Sequence, residues 1–305
     1  MYKERKLQTH DDVELHVYIW DEVENPIGIV QIVHGMSEYG GRYNLLAEAL
    51  NKAGYIALAD DHRGFGKTAL NKNELGHIEP KNSAKKMVLD ERMVQLYAQE
   101  HYPDLPYFIF AHSMGSFLIR LFMAEYPTNG VILCGSGLQP TLLLNAAKWV
   151  SSRRIKKDAA RRSGLLNKLA FWGYNRTYSD TSHFSWLTRD QAVQKAYEKD
   201  PFGGPIVGTS GFFHTLFTVI SESQKKSHFK HIPKELPLLL LSGTEDPVGH
   251  YGKDIPKLAI TLAENGVSDV TYKLYEGARH ELVNETCKEV VFSDIIRWLD
   301  AKRNA

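Results

Sequence analysis

The sequence predicts an α/β fold: a mostly parallel central sheet with helices on both faces and a helical insertion. Three observations predict it. Short, nearly unbroken apolar runs recur along the chain, as expected of strands covered on both faces. Amphipathic stretches at helical spacing separate them. The alternation then stops between about Leu138 and Glu235, where large apolar and basic residues continue without a clear strand. With 305 residues and 43% hydrophobic content, the chain can bury one large core and carry such an insertion. The expected division is a core formed by 1–137 and 236–305, with 138–235 as a helical cap.

The elements follow in order. Val13, Leu15, Val17 and Ile19 alternate with Glu14, His16 and Tyr18, which predicts a half-buried antiparallel strand paired with Lys3 to Thr9 across Asp11-Asp12. Gly28 to Val33 reads as a strand buried on both faces, running into the Gly-rich loop His34 to Gly41. A helix carrying Tyr43, Leu46, Ala49 and Leu50 on one face ends at Gly54, a suitable C′ residue. Tyr55 to Asp60 is the next buried strand, followed by Asp61-His62-Arg63-Gly64-Phe65-Gly66. Ser83 to Gln99 is helical, with Met87, Met93, Val94 and Tyr97 at helical spacing. Tyr107 to Ala111 and Gly130 to Gly135 are strands flanking a helix that begins near Phe117. After the insertion, closed by Pro233 and Pro237, come the strand Leu238 to Leu241, a helix ending at Gly266, the strand Val270 to Tyr275, and a closing helix. Val291, Ile295, Trp298 and Leu299 face inward on that last helix.

Composition narrows the function. A formal net charge of +1 and the absence of any recognition signature argue against nucleic acid as a partner. The charged N-terminus has no apolar h-region, and no apolar run approaches a membrane span, so the expected setting is cytoplasmic, peripheral to a membrane at most. Cys134 and Cys287 provide neither a disulfide framework nor metal-ligand spacing. No metal and no organic cofactor is expected: no His, Cys and carboxylate cluster has ligand spacing, and Gly40-Gly41 lacks a dinucleotide or P-loop pattern.

The chemistry centres on Ser113. In Tyr107 to Phe117 an apolar run breaks at His112-Ser113-Met114-Gly115 and an amphipathic helix begins, which is the setting of a nucleophile elbow. There the serine projects from a sharp strand-to-helix turn, and the first free N–H groups of the helix point back at it. Ala111 and Gly115 supply the small flanking residues. A serine hydroxyl is a weak nucleophile at neutral pH and needs a base, itself oriented by a carboxylate. Among thirteen histidines, position selects His280, in the loop after the last strand. Asp246 lies in the loop after the strand before it, with Glu245 as the adjacent alternative. The order Ser113, Asp246, His280 is that of nucleophile, acid and base in an α/β-hydrolase.

Five stretches together resemble α/β-hydrolases of the monoacylglycerol lipase and lysophospholipase type, grouped with the serine aminopeptidases. They are His34 to Tyr43, Asp61 to Gly66, His112 to Gly115, Gly243 to Val248 and Gly277 to Glu281. Tyr39 stands where that family typically has His, and Ala111 replaces a leading Gly. The resemblance implies Ser113 as nucleophile, His280 as general base and Asp246 as its orienting acid. It implies the backbone N–H groups of Met36 and Met114 as oxyanion donors. It also implies hydrolysis of single-chain acyl esters, with a small-ester esterase or an aminopeptidase as alternatives within the fold. A non-catalytic binding protein on this scaffold is the reading from another class.

Further expectations attach to neighbouring residues. Asp60 and Asp61 are expected to organise the Arg63 turn, and Arg63 to pair with Glu38 or Asp61. His34 and His112 are expected to brace loops. The substrate is expected to lie under cap residues 138–235. Leu142, Leu143, Leu144, Trp149, Phe171, Trp172, Phe212, Phe213 and Phe217 would form an apolar wall there. The basic run Arg153 to Arg162 would allow transient contact with a membrane surface.

Overall fold

The computed structural model describes residues 1–180 and 182–303. Eight strands form one sheet: β1 (Lys3–Gln8), β2 (Glu14–Trp20), β3 (Gly28–Val33), β4 (Tyr55–Asp60), β5 (Tyr107–His112), β6 (Gly130–Cys134), β7 (Leu238–Gly243) and β8 (Val270–Tyr275). Their order is β1-β2-β4-β3-β5-β6-β7-β8. β2 is antiparallel to both neighbours, and every later pair is parallel. Pairing of Val33 with Ala111 and of His112 with Cys134 brings the carboxyl ends of β3, β5 and β6 to one edge. Ligands bind at that edge in open parallel sheets.

Alternation along each strand divides two cores. Tyr107, Ile109 and Ala111 of β5 face the core covered by α2 (Ser83–His101), α3 (Met114–Phe122) and α9 (Asp254–Glu264). Phe108 and Phe110 face the core covered by α1 (Asn44–Lys52) and α10 (Lys288–Lys302). β2 departs from its expected half-buried character: every residue from Leu15 to Trp20 is buried. The polar-looking face holds Tyr18 and Trp20, whose rings pack into the α1 and α10 core. β1 is the exposed edge, and its Lys3-Glu4-Arg5-Lys6 run discourages pairing with another chain.

The insertion between β6 and β7 contains α4 (Thr141–Ile155), α5 (Gly164–Ala170), α6 (Gln191–Lys199), α7 (Ser210–Ser223) and the short α8 (Lys226–Phe229). The nine apolar residues expected to share one wall occupy different environments. Phe212, Phe213 and Phe217 of α7, with Leu144 of α4, are buried in the main core. Leu142, Leu143, Trp149 and Trp172 are exposed. α7 lies against α3 and α4, so its apolar face seals the sheet layer. Each phenylalanine buried there contributes about 1.5–3 kcal/mol over an exposed one. Among the described residues no helix is long and apolar enough to cross a membrane.

Candidate active site

Ser113 sits between β5 and α3 with φ 51° and ψ −118°, a conformation that costs a non-glycine residue about 1–3 kcal/mol. Its N–H donates to the Cys134 carbonyl of β6 at 2.9 Å, which fixes the turn to the neighbouring strand. Gly115 is required by the end of β3: a Cβ there would lie 2.5 Å from the Val33 oxygen and 2.6 Å from that of His34. Gly35 is required by the same turn, since a Cβ there would lie 3.0 Å from Ser113 Cβ and 2.5 Å from Glu38 Oε1. The Ser113 turn and the loop after β3 therefore approach each other too closely for side chains at these glycines. The N–H groups of Met36 and Met114 donate to no protein acceptor among the described residues.

Asp246 and His280 meet, with Nδ1 to Oδ1 at 2.9 Å and both side chains buried. The same Asp246 oxygen accepts the Val248 N–H at 2.9 Å, and its other oxygen accepts the Ser242 hydroxyl at 3.2 Å. The neighbouring alternative, Glu245, is half-exposed and 3.8 Å from Arg279. His280 Nε2 is buried and has no hydrogen-bond partner among the described residues, Ser113 included. A Cβ on Gly135 would come within 2.9 Å of the His280 ring, so the strand end that holds Ser113 N–H also supports the imidazole. The Trp186 ring, from the insertion, lies 5.0 Å from that of His280.

A buried charge cluster underlies this arrangement, and sequence reasoning missed it. Glu38 Oε1 accepts from the Gly35 N–H (2.6 Å), the Tyr43 hydroxyl (2.9 Å) and His112 Nδ1 (3.0 Å). Glu38 Oε2 accepts from Arg42 at 2.9 Å. Arg42 also makes a bidentate pair with Glu281, the neighbour of His280, at 2.8 and 2.9 Å. His112 Nε2 donates to the His280 carbonyl at 3.3 Å, so both of its ring nitrogens donate. Burial works against both charges, but the contact between them wins: it raises the His112 imidazole and, with Arg42, holds the Glu38 carboxyl well below its ordinary range. Two cations and two anions thus tie the loop after β3, the end of β5 and the loop after β8 together. The signals available in sequence were the i, i+4 spacing of Glu38 and Arg42 and the acid directly after His280.

Arg63 pairs with neither Glu38 nor Asp61. Its guanidinium meets Asp90 of α2 at 2.6 Å and Asp11 at 3.1 Å. Asp61 instead caps backbone, accepting the N–H groups of Gly40 (2.8 Å) and Lys67 (2.6 Å). Asp60 meets His62 at 2.9 Å. Two groups of side chains have metal-ligand proximity among the described residues: His10, Asp11 and Asp90, and Asp60, His62 and Glu91. Arg63 and Lys86 already neutralise the carboxylates of the first. In the second, His62 uses both ring nitrogens, toward Asp60 and toward the His34 carbonyl at 3.1 Å. Neither fits a metal better than the cation it already holds.

Comparison with known proteins identifies the family. Residues 24–287 match the serine aminopeptidase S33 family. A monoacylglycerol lipase of Mycolicibacterium smegmatis is 27% identical over 285 residues, covering 92% of this chain and 91% of the relative. A monoglyceride lipase of Rattus norvegicus is 30% identical over 271 residues, covering 87% and 79%. A highly thermostable carboxyl esterase from Bacillus coagulans, solved with glycerol, superposes with a TM-score of 0.90 at 28% identity, covering 99% of each chain.

Proposed function

The chain belongs to the serine aminopeptidase S33 family of α/β-hydrolases, and on that premise we propose that it hydrolyses single-chain acyl esters of the monoacylglycerol or lysophospholipid kind. Carboxylic-ester hydrolysis is the activity named for its lipase and esterase relatives. The observation that carries the mechanism is the strained Ser113 beside an Asp246–His280 pair at 2.9 Å, with two uncommitted backbone N–H groups on the adjoining turns.

In the proposed reaction Ser113 Oγ attacks the ester carbonyl as His280 Nε2 takes its proton. Asp246 holds the ring in the Nδ1–H tautomer and stabilises the imidazolium. The carbonyl oxygen becomes an oxyanion facing the Met36 and Met114 N–H groups. The C–O bond to the alcohol then breaks, and His280 returns the proton to the leaving oxygen. Water repeats the sequence on the acyl-enzyme and releases the fatty acid. The Ser113 to His280 hydrogen bond forms as substrate enters, since such bonds are often long without ligand.

The alternatives have weaker support. An aminopeptidase needs an acid free to receive the substrate ammonium, whereas Glu38, Asp246 and Glu281 beside the site are buried and already paired. Support for a lipid substrate comes from the outer cap, where Leu142 and Trp172 are 85% and 70% exposed and Leu143, Trp149, Leu165 and Leu169 are exposed with them. Arg153 and Arg176 lie over the Trp149 and Trp172 rings. An apolar face edged with cations suits an anionic lipid surface. The test is the specificity constant for acyl esters of increasing chain length, beside peptide amides and the Ser113→Ala protein. A rise of about 0.8 kcal/mol in transition-state binding per buried methylene is expected until the site is full. A flat or falling series would leave a small-ester esterase. Faster amide cleavage would leave a peptidase, and failure of a fluorophosphonate to label Ser113 would leave a binding protein.

A further inference from the structure

We infer that His34 is a positioning residue of the oxyanion hole: it aims the Met36 N–H through the Gly35 carbonyl, and the Asp60–Asp61–His62 turn fixes the tautomer that lets it do so. The inference rests on the serine-hydrolase reading above.

The Met36 N–H belongs to the peptide unit that joins Gly35 to Met36. That unit is planar and trans, so its carbonyl, which belongs to Gly35, points opposite to the N–H. His34 Nδ1 lies 2.7 Å from the Gly35 oxygen. Holding this oxygen fixes the direction of the Met36 N–H, because the two cannot rotate independently. The preceding peptide is held as well, since the Gly35 N–H donates to Glu38 Oε1 at 2.6 Å. The peptide units on both sides of Gly35 are therefore clamped beside Ser113 Cβ.

The clamp works only if Nδ1 carries the proton. The backbone N–H of His62 donates to His34 Nε2 at 2.9 Å, so Nε2 must offer a lone pair and Nδ1 must be the donor. The His62 ring stacks on the His34 ring, with centroids 3.8 Å apart. His62 Nε2 donates to the His34 carbonyl at 3.1 Å, and His62 Nδ1 faces Asp60 at 2.9 Å and Glu91 at 3.1 Å. Two donating nitrogens make His62 a cation. His34 is fully buried, and burial together with the cation stacked on it pushes its imidazole down to about 3. It therefore keeps one neutral tautomer over the working pH range. Asp61 holds the far end of the same loop through the Gly40 N–H at 2.8 Å. This gives the Asp61 to Gly66 motif a task that neither the triad nor the Arg63 ion pairs explain.

The test compares wild type with His34→Leu, which removes the donor, and His34→Asn, whose amide N–H reaches the place of Nδ1. Two readouts are used: turnover of a short soluble p-nitrophenyl ester and the rate at which a fluorophosphonate labels Ser113. In both reactions charge builds on an oxygen facing the Met36 N–H. His34→Leu is expected to lower kcat and labelling by about a hundred- to a thousand-fold, the cost of one oxyanion donor, with KM nearly unchanged. His34→Asn should recover most of that loss. Nitrogen NMR of wild type should find His34 protonated at Nδ1 alone, with no titration between about pH 5 and 9. Wild-type rates in a folded His34→Leu protein, a loss confined to KM, or a proton on Nε2 would each overturn the inference. If His34→Leu does not fold, the NMR tautomer and the His34→Asn rates decide. If no acyl ester is cleaved but Ser113 still labels, the substrate reading fails while the labelling comparison still judges the clamp.

Discussion

The two halves of the insertion are built on opposite plans. The outer half, α4 and α5 with Trp172, turns large apolar side chains to solvent. The inner half, the described residues from Tyr178 to Gly203, is bonded repeatedly to the loops after β3 and β8. Arg279 reaches Asp180 at 2.6 Å and the Ser185 carbonyl at 2.7 Å. The His280 and Glu281 N–H groups donate to the Trp186 and Leu187 carbonyls at 3.3 and 2.7 Å. Arg189 meets Glu285 at 3.0 Å. The Tyr197 hydroxyl donates to the Ser37 carbonyl at 2.9 Å, and its ring lies 4.6 Å from the Arg42 guanidinium. Tyr39 reaches Asp200 at 3.1 Å. The lesson is that an insertion can be part framework and part exposed apolar surface. The inner half holds the loops after β3 and β8 in register. The outer half leaves large apolar side chains in solvent and, among the described residues, carries none of those contacts.

The largest expected effects fall on the framework. Ser113→Ala and His280→Ala should each remove at least about a thousand-fold of ester turnover, and the double variant should be little worse, because triad members act as a unit. Neither should alter sedimentation with anionic vesicles, which the proposed lipid contact assigns to the outer half. Near-normal turnover in His280→Ala would break the assignment. Next is Arg42→Met, which takes from buried Glu281 its cation and leaves Glu38 with His112 alone. Denaturant unfolding should report a loss of about 3–5 kcal/mol, and unchanged stability would mean the cluster is not a keystone.

The opposite signature is expected outside. Trp172→Ala and Leu142→Ser should leave unfolding free energy within about 0.5 kcal/mol of wild type. They should weaken vesicle binding and raise KM for vesicle-borne esters, with soluble-ester turnover intact. A loss on the soluble ester would erase the distinction between the halves. The smallest effect concerns the pH dependence of the framework. Hydrogen bonding from Arg279 holds the Asp180 carboxyl well below its ordinary value. A carboxyl depressed on folding contributes stability above its unfolded pKa, about 3.9, and loses it as pH falls below that. Asp180→Asn should therefore flatten the acid limb of the stability curve slightly, and an identical limb would assign that dependence elsewhere.

Much of this was legible in the sequence because it depends on local requirements. Apolar runs and helical spacing gave the strands and helices, and chain order placed Ser113, Asp246 and His280 on one sheet edge. His34 and His112 do brace loops, as expected. The reading of β2 failed on one face because Tyr18 and Trp20 pack through rings that a period-two pattern scores as ambiguous. The single apolar wall failed because composition does not say which side of a helix meets the core. Arg63 was assigned the wrong carboxylates because every acid near it in sequence looks equivalent.

What the sequence determined by itself is whatever a short stretch must satisfy alone: the strained turn at Ser113, the glycines the backbone demands at 35 and 115, and the alternation that builds the sheet. Tertiary structure decided which charges meet. Arg42 and Glu281 are 239 residues apart in sequence, and neither carries a mark of the other. Charge acts through space and falls off with distance and dielectric. A pairing so remote exists only once the sheet has brought the loops after β3, β5 and β8 to one edge, and the insertion has closed over them and excluded water.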